Sequence, residues 1–485
     1  MDVTIEPHPL SGTVAAVASK SVAHRLLILA ALADGTTDID CNTTSRDIDA
    51  TARCLEALGA RIARTRRGFR VRPIPRDADG APLAASGATL DCGESGSTLR
   101  FMLPVAAALG RPCALDGHGR LTERPLSPLY EELASHGARL SQKGVLPLRV
   151  EGDLAGGTFD IPGDVSSQYV SGLLMAAPFL PGGVRVRVSE PFESRAYVTI
   201  TTDALHAFGV GVRVTREEED GASFEVFEVA PQAVRTPGTV AVEGDWSNSA
   251  FWLAAGAIAG PVSVTGLDAK SSQGDRAIVA AASLLGARAR TEGGCATSER
   301  AALRGRTVSV ADIPDLVPPI AAMAAYAQGE TRITDAARLR LKESDRLETV
   351  RAAIACMGGD ATIEGDDLLI RGTGSLPGGV VDAANDHRIA MAAAVAAATA
   401  GLAGDRHSPK GMTFTSGTLS MMVASGVLET TLATGSTFST EGVIPKLQVS
   451  IAPPQTQKLI SLFSRSFVLP VRIHLSGRQF DLVHL

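Results

Sequence analysis

Residues 19–32 read SKSVAHRLLILAAL, a short polar cluster with two cations followed by an apolar run of about three helical turns. The same arrangement returns as GSTLRFMLPVAAAL from Gly96, SSQYVSGLLMAAPFL from Ser166, WSNSAFWLAAGAI from Trp246, PDLVPPIAAMAA from Pro314 and NDHRIAMAAAVAA from Asn385. With Ser21, Ser97, Ser167, Ser247, Asp315 and His387 as markers, the copies recur roughly every 70 to 80 residues. Chance rarely gives such regularity, so the chain reads as six related modules.

Between the markers lie short β-rich runs such as GVRVRVSE and TVSVADI. Second helices such as IDATARCLEALGARI and LYEELASHGARL each end near a glycine. Each module is therefore a small α/β unit, and six of them in a 485-residue chain suit two domains of three modules. A composition shift at TPGTVAVEGDW, with Pro237 and Gly238, marks the crossover between the third and fourth copies. Residues 2–6 form a strand expected to pair with the second half. The expected division is 20–236 for one domain, 1–19 plus 237–398 for the other, and 399–485 as an atypical tail.

The polar cluster at each helix head has a physical use. The first helical turn leaves backbone N–H groups unpaired and carries partial positive charge, so Ser, Asp or Asn caps it and an anion there is stabilised. Taken singly, each such residue is an ordinary cap. A cap needs no cation, however, and Lys20, Arg25, Arg100 and Arg388 sit in these same clusters. Several such heads together would hold anions.

Composition narrows the classes. Hydrophobic residues at 45% and charged residues at 20% describe a globular protein, and a net charge of −6 excludes a basic nucleic-acid binder. The six cysteines show neither CxxC pairs nor metal-ligand spacing, which points to free thiols in a cytosolic protein without a metal. The start, MDVTIEPHPLSG, is no signal peptide, and the uncharged stretch 389–404 is too short to span a bilayer. GESGST lacks the ending of a phosphate-binding P-loop, and no GxGxxG opens a helix.

Six stretches then resemble, in order and spacing, the motifs of the 5-enolpyruvylshikimate-3-phosphate synthases. They are SKSVAHR (19–25), CGESGSTLRF (92–101), LTERPL (121–126), DVSSQYVSGLL (164–174), LKESDRLE (341–348) and NDHRIAM (385–391). The resemblance spans residues 1 to about 398. It implies a two-domain inside-out α/β barrel of the enolpyruvyl transferase type, with three βαβαββ units per domain. It also implies transfer of the enolpyruvyl group of phosphoenolpyruvate to the 5-hydroxyl of shikimate 3-phosphate, in the shikimate pathway to aromatic amino acids. No cofactor, metal, nucleic acid or membrane is implied, and a monomer whose halves close on the substrates is expected.

Both substrates carry phosphate and carboxylate, so Lys and Arg must balance several negative charges. By the resemblance, Lys20 and Arg124 contact phosphoenolpyruvate, and Arg346 and Arg388 help hold its carboxylate. Ser21 and Arg25 hold the shikimate carboxylate, while Ser166, Ser167, Ser194 and Lys342 surround the shikimate phosphate. Gln168 lies between the substrates, Tyr197 lines the shikimate pocket, and Gly96 leaves room for phosphoenolpyruvate. Asp315 is the candidate for polarising the hydroxyl and Glu343 for proton traffic at C3, with Lys20 and Lys342 as catalytic partners and His387 as a hydrogen-bonding positioner. Read in isolation, LKESDRLE is a solvated helix with Lys342 and Arg346 on one face.

Two rivals remain at this point. The sister enolpyruvyl transferase acting on UDP-N-acetylglucosamine usually carries a reactive Cys five residues before the Arg-Pro pair, and that place here is Gly119, with Cys113 farther upstream. The other rival is a catalytically impaired, anion-binding relative. After residue 398 the family's sixth-unit ending, with its Lys followed by Ser or Thr, an aromatic and Pro, is missing, as a change of reading frame would leave it. Neither Lys410 nor Lys446 has the expected neighbours. The expectation is an incomplete sixth unit, a poorly packed tail and weak phosphoenolpyruvate binding.

Overall fold

The computed structural model describes residues 3–5, 10–397, 412–415, 448–450, 471–475 and 478–482. The chain divides into a first unit, Ala18–Glu243 with Ser272–Gly274, and a second unit, Met1–Val17, Gly244–Ser271 and Asp275–Leu485. Each has its own apolar core.

In the first unit, helices α1 (Lys20–Leu32), α3 (Gly96–Ala108) and α5 (Ser167–Ala176) follow the polar clusters, with α2 (Arg46–Ala57), α4 (Leu129–Ser135) and α6 (Arg195–Ala207) between and after them. Helix α1 is buried continuously from Val22 to Leu32, as expected of a helix apolar on every side. Helix α2 instead buries one stripe, Ile48, Thr51, Cys54 and Leu55 among it, and leaves the rest to water. The marker helices are thus internal and the second helices external. At Gly172 a Cβ would lie 2.6 Å from the Arg100 carbonyl oxygen and 2.7 Å from Pro104, so glycine is what lets α5 close on α3.

The strands explain why helices lie inside. Strands 157–162 and 184–189 alternate buried and more exposed residues, so each sheet packs one face on the helices and turns the other to water. One topology repeats: the strand before a marker helix runs parallel to the strand after it, and an antiparallel hairpin extends the sheet. Examples are Ala88–Asp91 beside Cys113–Asp116 and Thr307–Ser309 beside Gln328–Thr334. A parallel pair needs a crossover, which the marker helix supplies. These sheets are separate, and none closes into a barrel among the described strands.

The first and fourth modules exchange their leading strands. Gly12–Ala15, which precedes α1, pairs with Val262–Thr265, and Thr239–Ala241 pairs with Thr37–Asp40. This pairing corrects the crossover placed at residue 237: the boundary falls after Glu243, because Thr239–Ala241 completes a sheet of the first unit.

The second unit carries α7 (Trp246–Ala259), α8 (Ile278–Leu284), α9 (Val317–Ala325), α10 (Arg346–Cys356) and α11 (His387–Ala397). Helices α7, α9 and α11 pack mutually. In the sixth sheet, Val380–Asp382 runs parallel to Met412–Thr415, which pairs with the N-terminal strand Val3–Ile5. Gln448–Ser450, Val471–Leu475 and Arg478–Leu482 follow in that sheet. Apart from these strands, the residues on which the expectation of a loose tail and an incomplete sixth unit rests, Lys410 and Lys446 among them, lie outside the described residues.

A polar thread ties the first three helices of the first unit. His24 Nδ1 lies 2.7 Å from Thr51 Oγ1, which lies 2.8 Å from Thr98 Oγ1, so α1, α2 and α3 share one hydrogen-bond chain. His24 is 1% exposed, and burial lowers its pKa to about 3. An unfolded imidazole titrates near 6.5, so the folded state resists protonation between those values. This contribution is complete above pH 6.5 and is lost as pH falls toward 3, at up to ~1.4 kcal/mol per pH unit. Urea unfolding across that range should show His24→Gln with a shallower acid loss than the wild type; parallel curves would contradict the assignment.

Candidate active site

The markers are not the caps. Ser95 caps α3 by accepting from Thr98 N at 3.2 Å, Ser166 caps α5 through Gln168 N at 3.3 Å, and Asp245 caps α7 through Asn248 N at 2.9 Å. Ser97, Ser167 and Ser247 therefore stand inside the first turn, with hydroxyls released from capping. Two of these hydroxyls accept from functional side chains: Ser97 Oγ from Gln168 Nε2 at 2.8 Å, and Ser247 Oγ from Arg388 Nη1 at 2.7 Å.

In the first unit, α1 opens with Lys20, whose ammonium lies 2.9 Å from Asp47 Oδ2 at the head of α2. Arg25, one turn on, is 2% exposed. Its guanidinium donates to the Ser21 carbonyl at 2.6 Å, Thr201 Oγ1 at 2.7 Å, the Tyr197 carbonyl at 2.9 Å and Ser171 Oγ at 3.2 Å. Among the described residues no carboxylate pairs with it, and burial lowers its pKa to about 9. A buried cation held by neutral oxygens alone keeps its charge available for an anion.

Arg100 of α3 donates to Gln168 Oε1 at 2.7 Å and to the Pro125 carbonyl at 3.0 Å, so α3, α5 and the LTERPL segment are locked together. Gly96, the first residue of α3, has Arg124 over it: any Cβ there would overlap the Arg124 guanidinium. In this structure the group closest over Gly96 is the Arg124 side chain. Ser166 and Ser167 are buried at the head of α5. Ser194, also buried, sits ahead of α6 in the left-handed region at φ 56°, a conformation that a non-glycine residue adopts only where the surroundings impose it.

The second unit collects Asp315, Lys342, Glu343, Arg346 and Arg388. Asp315 Oδ1 lies 2.9 Å from Arg346 Nη1 and 3.3 Å from Lys342 Nζ, and Oδ2 accepts from Arg388 Nη2 at 3.0 Å. One carboxylate thus meets three cations, which is not the role of a helix cap. Arg346 is 1% exposed and also reaches Glu343 Oε2 at 2.5 Å and Asp386 Oδ2 at 2.9 Å. Burial opposes its charge, yet the carboxylates of Asp386, Glu343 and Asp315 raise its pKa. Lys342 keeps a quarter of its side chain accessible, but desolvation lowers its pKa against the pull of Asp315. The solvated-helix reading of LKESDRLE does not hold: a 3-10 turn ends at Leu341, α10 starts at Arg346, and Arg346 faces the interior. His387 opens α11, half-buried beside Asp386.

Among the described residues no group of His, Cys, Asp and Glu is placed to hold a metal, and no helix is long and apolar enough to cross a membrane. The clustered Lys342, Arg346, Arg388, Asp315 and Glu343 offer anion binding and proton transfer.

The family model for EPSP synthase (3-phosphoshikimate 1-carboxyvinyltransferase) matches residues 5–407. The chain belongs to the EPSP synthase family. The 3-phosphoshikimate 1-carboxyvinyltransferase of Clostridium kluyveri is 38% identical over 393 residues, covering 81% of this chain and 89% of that one. That of Halobacterium salinarum is 39% identical over 427 residues, covering 84% and 95%. Among solved structures, an EPSP synthase from Acinetobacter baumannii superposes with a TM-score of 0.69 at 25% identity, over 88% of this chain and 95% of that one. The fold is thus the inside-out α/β fold of the EPSP synthases.

Sequence reasoning missed two carboxylates of this family member. Asp47 pairs with Lys20 from the neighbouring helix, and its only signal was an acidic first turn in RDID. Asp386 lay inside NDHR but was passed over for His387 and Arg388. It accepts from Arg388 N at 2.9 Å, Ser344 Oγ at 3.0 Å and Arg346, and is fully buried. Removing Arg346 would leave that carboxylate buried without its cation. Arg346→Met should therefore destabilise the fold by about 3–5 kcal/mol in urea unfolding; a change under about 1 kcal/mol would show that Arg346 does not carry this balance.

Proposed function

We propose that this chain transfers the enolpyruvyl group of phosphoenolpyruvate to the 5-hydroxyl of shikimate 3-phosphate and releases phosphate. The family match and its relatives support the reaction, and the three-cation setting of Asp315 carries its chemistry. The shikimate 5-hydroxyl gives its proton to a base of the site as its oxygen bonds to C2 of phosphoenolpyruvate, and C3 gains a proton, giving a tetrahedral ketal phosphate. C3 then loses a proton, the C2–O bond to phosphate breaks, and the enol ether forms. No electron carrier is needed.

In this reading Asp315, oriented by its cations, accepts the hydrogen bond of the 5-hydroxyl, and Glu343 exchanges the proton at C3 with help from Lys20. Lys20, Arg124 and Arg388 bind phosphoenolpyruvate. Arg346 gives most of its N–H donors to Asp315, Glu343 and Asp386, so it adds at most one contact to that anion. Ser21 and Arg25 take the shikimate carboxylate, with Tyr197 beside them. Ser166, Ser167, Ser194 and Lys342 take the shikimate phosphate, and Gln168 lies between the substrates. His387 positions its neighbours. The proposal extends to a cytosolic location, in keeping with the free thiols.

The UDP-sugar alternative is not favoured. Gly119, where a reactive Cys would stand, has φ +63° and its missing Cβ would overlap Glu94. The family model and the relatives above carry the shikimate name.

Two variants test the assignment by phosphate release. Arg124→Ala should weaken phosphoenolpyruvate binding by about 1.5–3 kcal/mol or more, the range for a charge-assisted contact, and unchanged affinity would remove Arg124 from the site. Glu343→Gln should bind both substrates and turn over about a hundredfold more slowly or worse; equal turnover would move the proton role to Lys20.

A further inference from the structure

Asp275 lies in the 3-10 turn Gly274–Ala277 ahead of α8, in a stretch, SSQGDRAI (271–278), outside the six motifs. It is 4% exposed. The Ser247 hydroxyl is close enough to act on its carboxyl, whose Oδ1 is buried with no hydrogen-bond partner among the described residues. Ser247 Oγ accepts from Arg388 Nη1 at 2.7 Å, and Arg388 Nη2 donates to Asp315 at 3.0 Å. A hydroxyl has one proton to give. With Arg388 donating into its lone pair, Ser247 keeps that proton available for the Asp275 carboxyl beside it.

Four groups face Asp275: Asp245 and Ser247 at the head of α7, Asp315 ahead of α9, and Arg388 at the head of α11. Burial raises its pKa to about 6, with Asp315 adding to the rise and Arg388 opposing it. The folded pKa exceeds the unfolded value of 3.8, so whatever stability the group gives is complete below 3.8 and lost as pH rises through 6. At neutral pH the aspartate therefore weakens the fold. An asparagine would accept from the same hydroxyl without burying a charge, so packing does not explain the carboxylate.

We infer that Asp275 is a positioning residue for the reaction: through the Ser247 hydroxyl it holds the Arg388 guanidinium in register with Asp315 and with the carboxylate of phosphoenolpyruvate. The inference rests on the proposed function for the identity of that anion. Asp275 acts through its neighbour and touches no substrate itself.

The test is a double-mutant cycle in the full chain, Asp275→Ala with Ser247→Ala, and Asp275→Asn as the conservative variant. The readouts are kcat and both KM values between about pH 5 and 8. Asp275→Ala should raise KM for phosphoenolpyruvate about tenfold and leave that for shikimate 3-phosphate within about twofold. Ser247→Ala added to it should give no further rise. Asp275→Asn should recover most of the loss while removing an inflection in kcat/KM for phosphoenolpyruvate near pH 6. It should also be more stable than the wild type at about pH 8 and no more stable below about pH 4. An unchanged KM for phosphoenolpyruvate in a folded Asp275→Ala enzyme, or additive effects in the cycle, overturns the inference. If Asp275→Ala does not fold, an inflection that persists in Asp275→Asn overturns it. A wild-type chain without turnover contradicts the proposed function instead. The same cycle in unfolding free energy then decides, with coupling between the two positions supporting the inference and additivity overturning it.

Discussion

A guanidinium buried to 1% exposure is costly unless its charge is matched, and at Arg346 three carboxylates supply the match: Asp315, Glu343 and Asp386. Each sits at the head of a different helix or turn, ahead of α9, α10 and α11. None can move alone without leaving a charge unpaired in a low-dielectric interior. The constraint therefore fixes the geometry of the second unit's catalytic candidates. Lys342 and Arg388 close the same network through Asp315, which orients its carboxylate.

The first unit solves the opposite problem. Arg25 is almost as buried, yet its partners are a backbone carbonyl of its own helix and three oxygens from α5 and α6, all neutral. Hydrogen bonds from carbonyls and hydroxyls orient the guanidinium but leave its charge uncompensated. The first unit thus presents Arg25 with neutral partners, while the second presents a matched set of acids and bases. Both sets stand at helix heads, because the inside-out arrangement buries the apolar helix bodies and leaves their polar first turns as the places where function can be built.

Much of this was legible in the chain. The six polar-then-apolar copies gave the internal helices, and the β-rich runs between them gave the small sheets. The pairing of the N-terminal strand with the second half was legible too, but not the partner of the returning strand: Thr239–Ala241 carries no local sign that it belongs with Thr37–Asp40, a pairing fixed only by tertiary structure. The same limit applies to the carboxylates. Asp315 and Glu343 stood in recognisable motifs. Asp47 and Asp386 gain their roles from partners 27 and 40 residues away, a distance that no local pattern reports. The serine markers were right in place and wrong in their bland role, since the caps lie one or two residues earlier at Ser95, Ser166 and Asp245. Past residue 398 the repeat stopped being readable, while the backbone still adds strands to the sixth sheet.

The most direct measurement is proton NMR of the full chain mixed with phosphoenolpyruvate and shikimate 3-phosphate, with phosphate followed in the same tube. The vinyl signals of phosphoenolpyruvate should give way to those of an enol ether on the shikimate ring, with phosphate released in equal amount and only when both substrates are present. Failure to form that ether with shikimate 3-phosphate, or its formation only with a UDP-sugar acceptor, would contradict the proposed reaction.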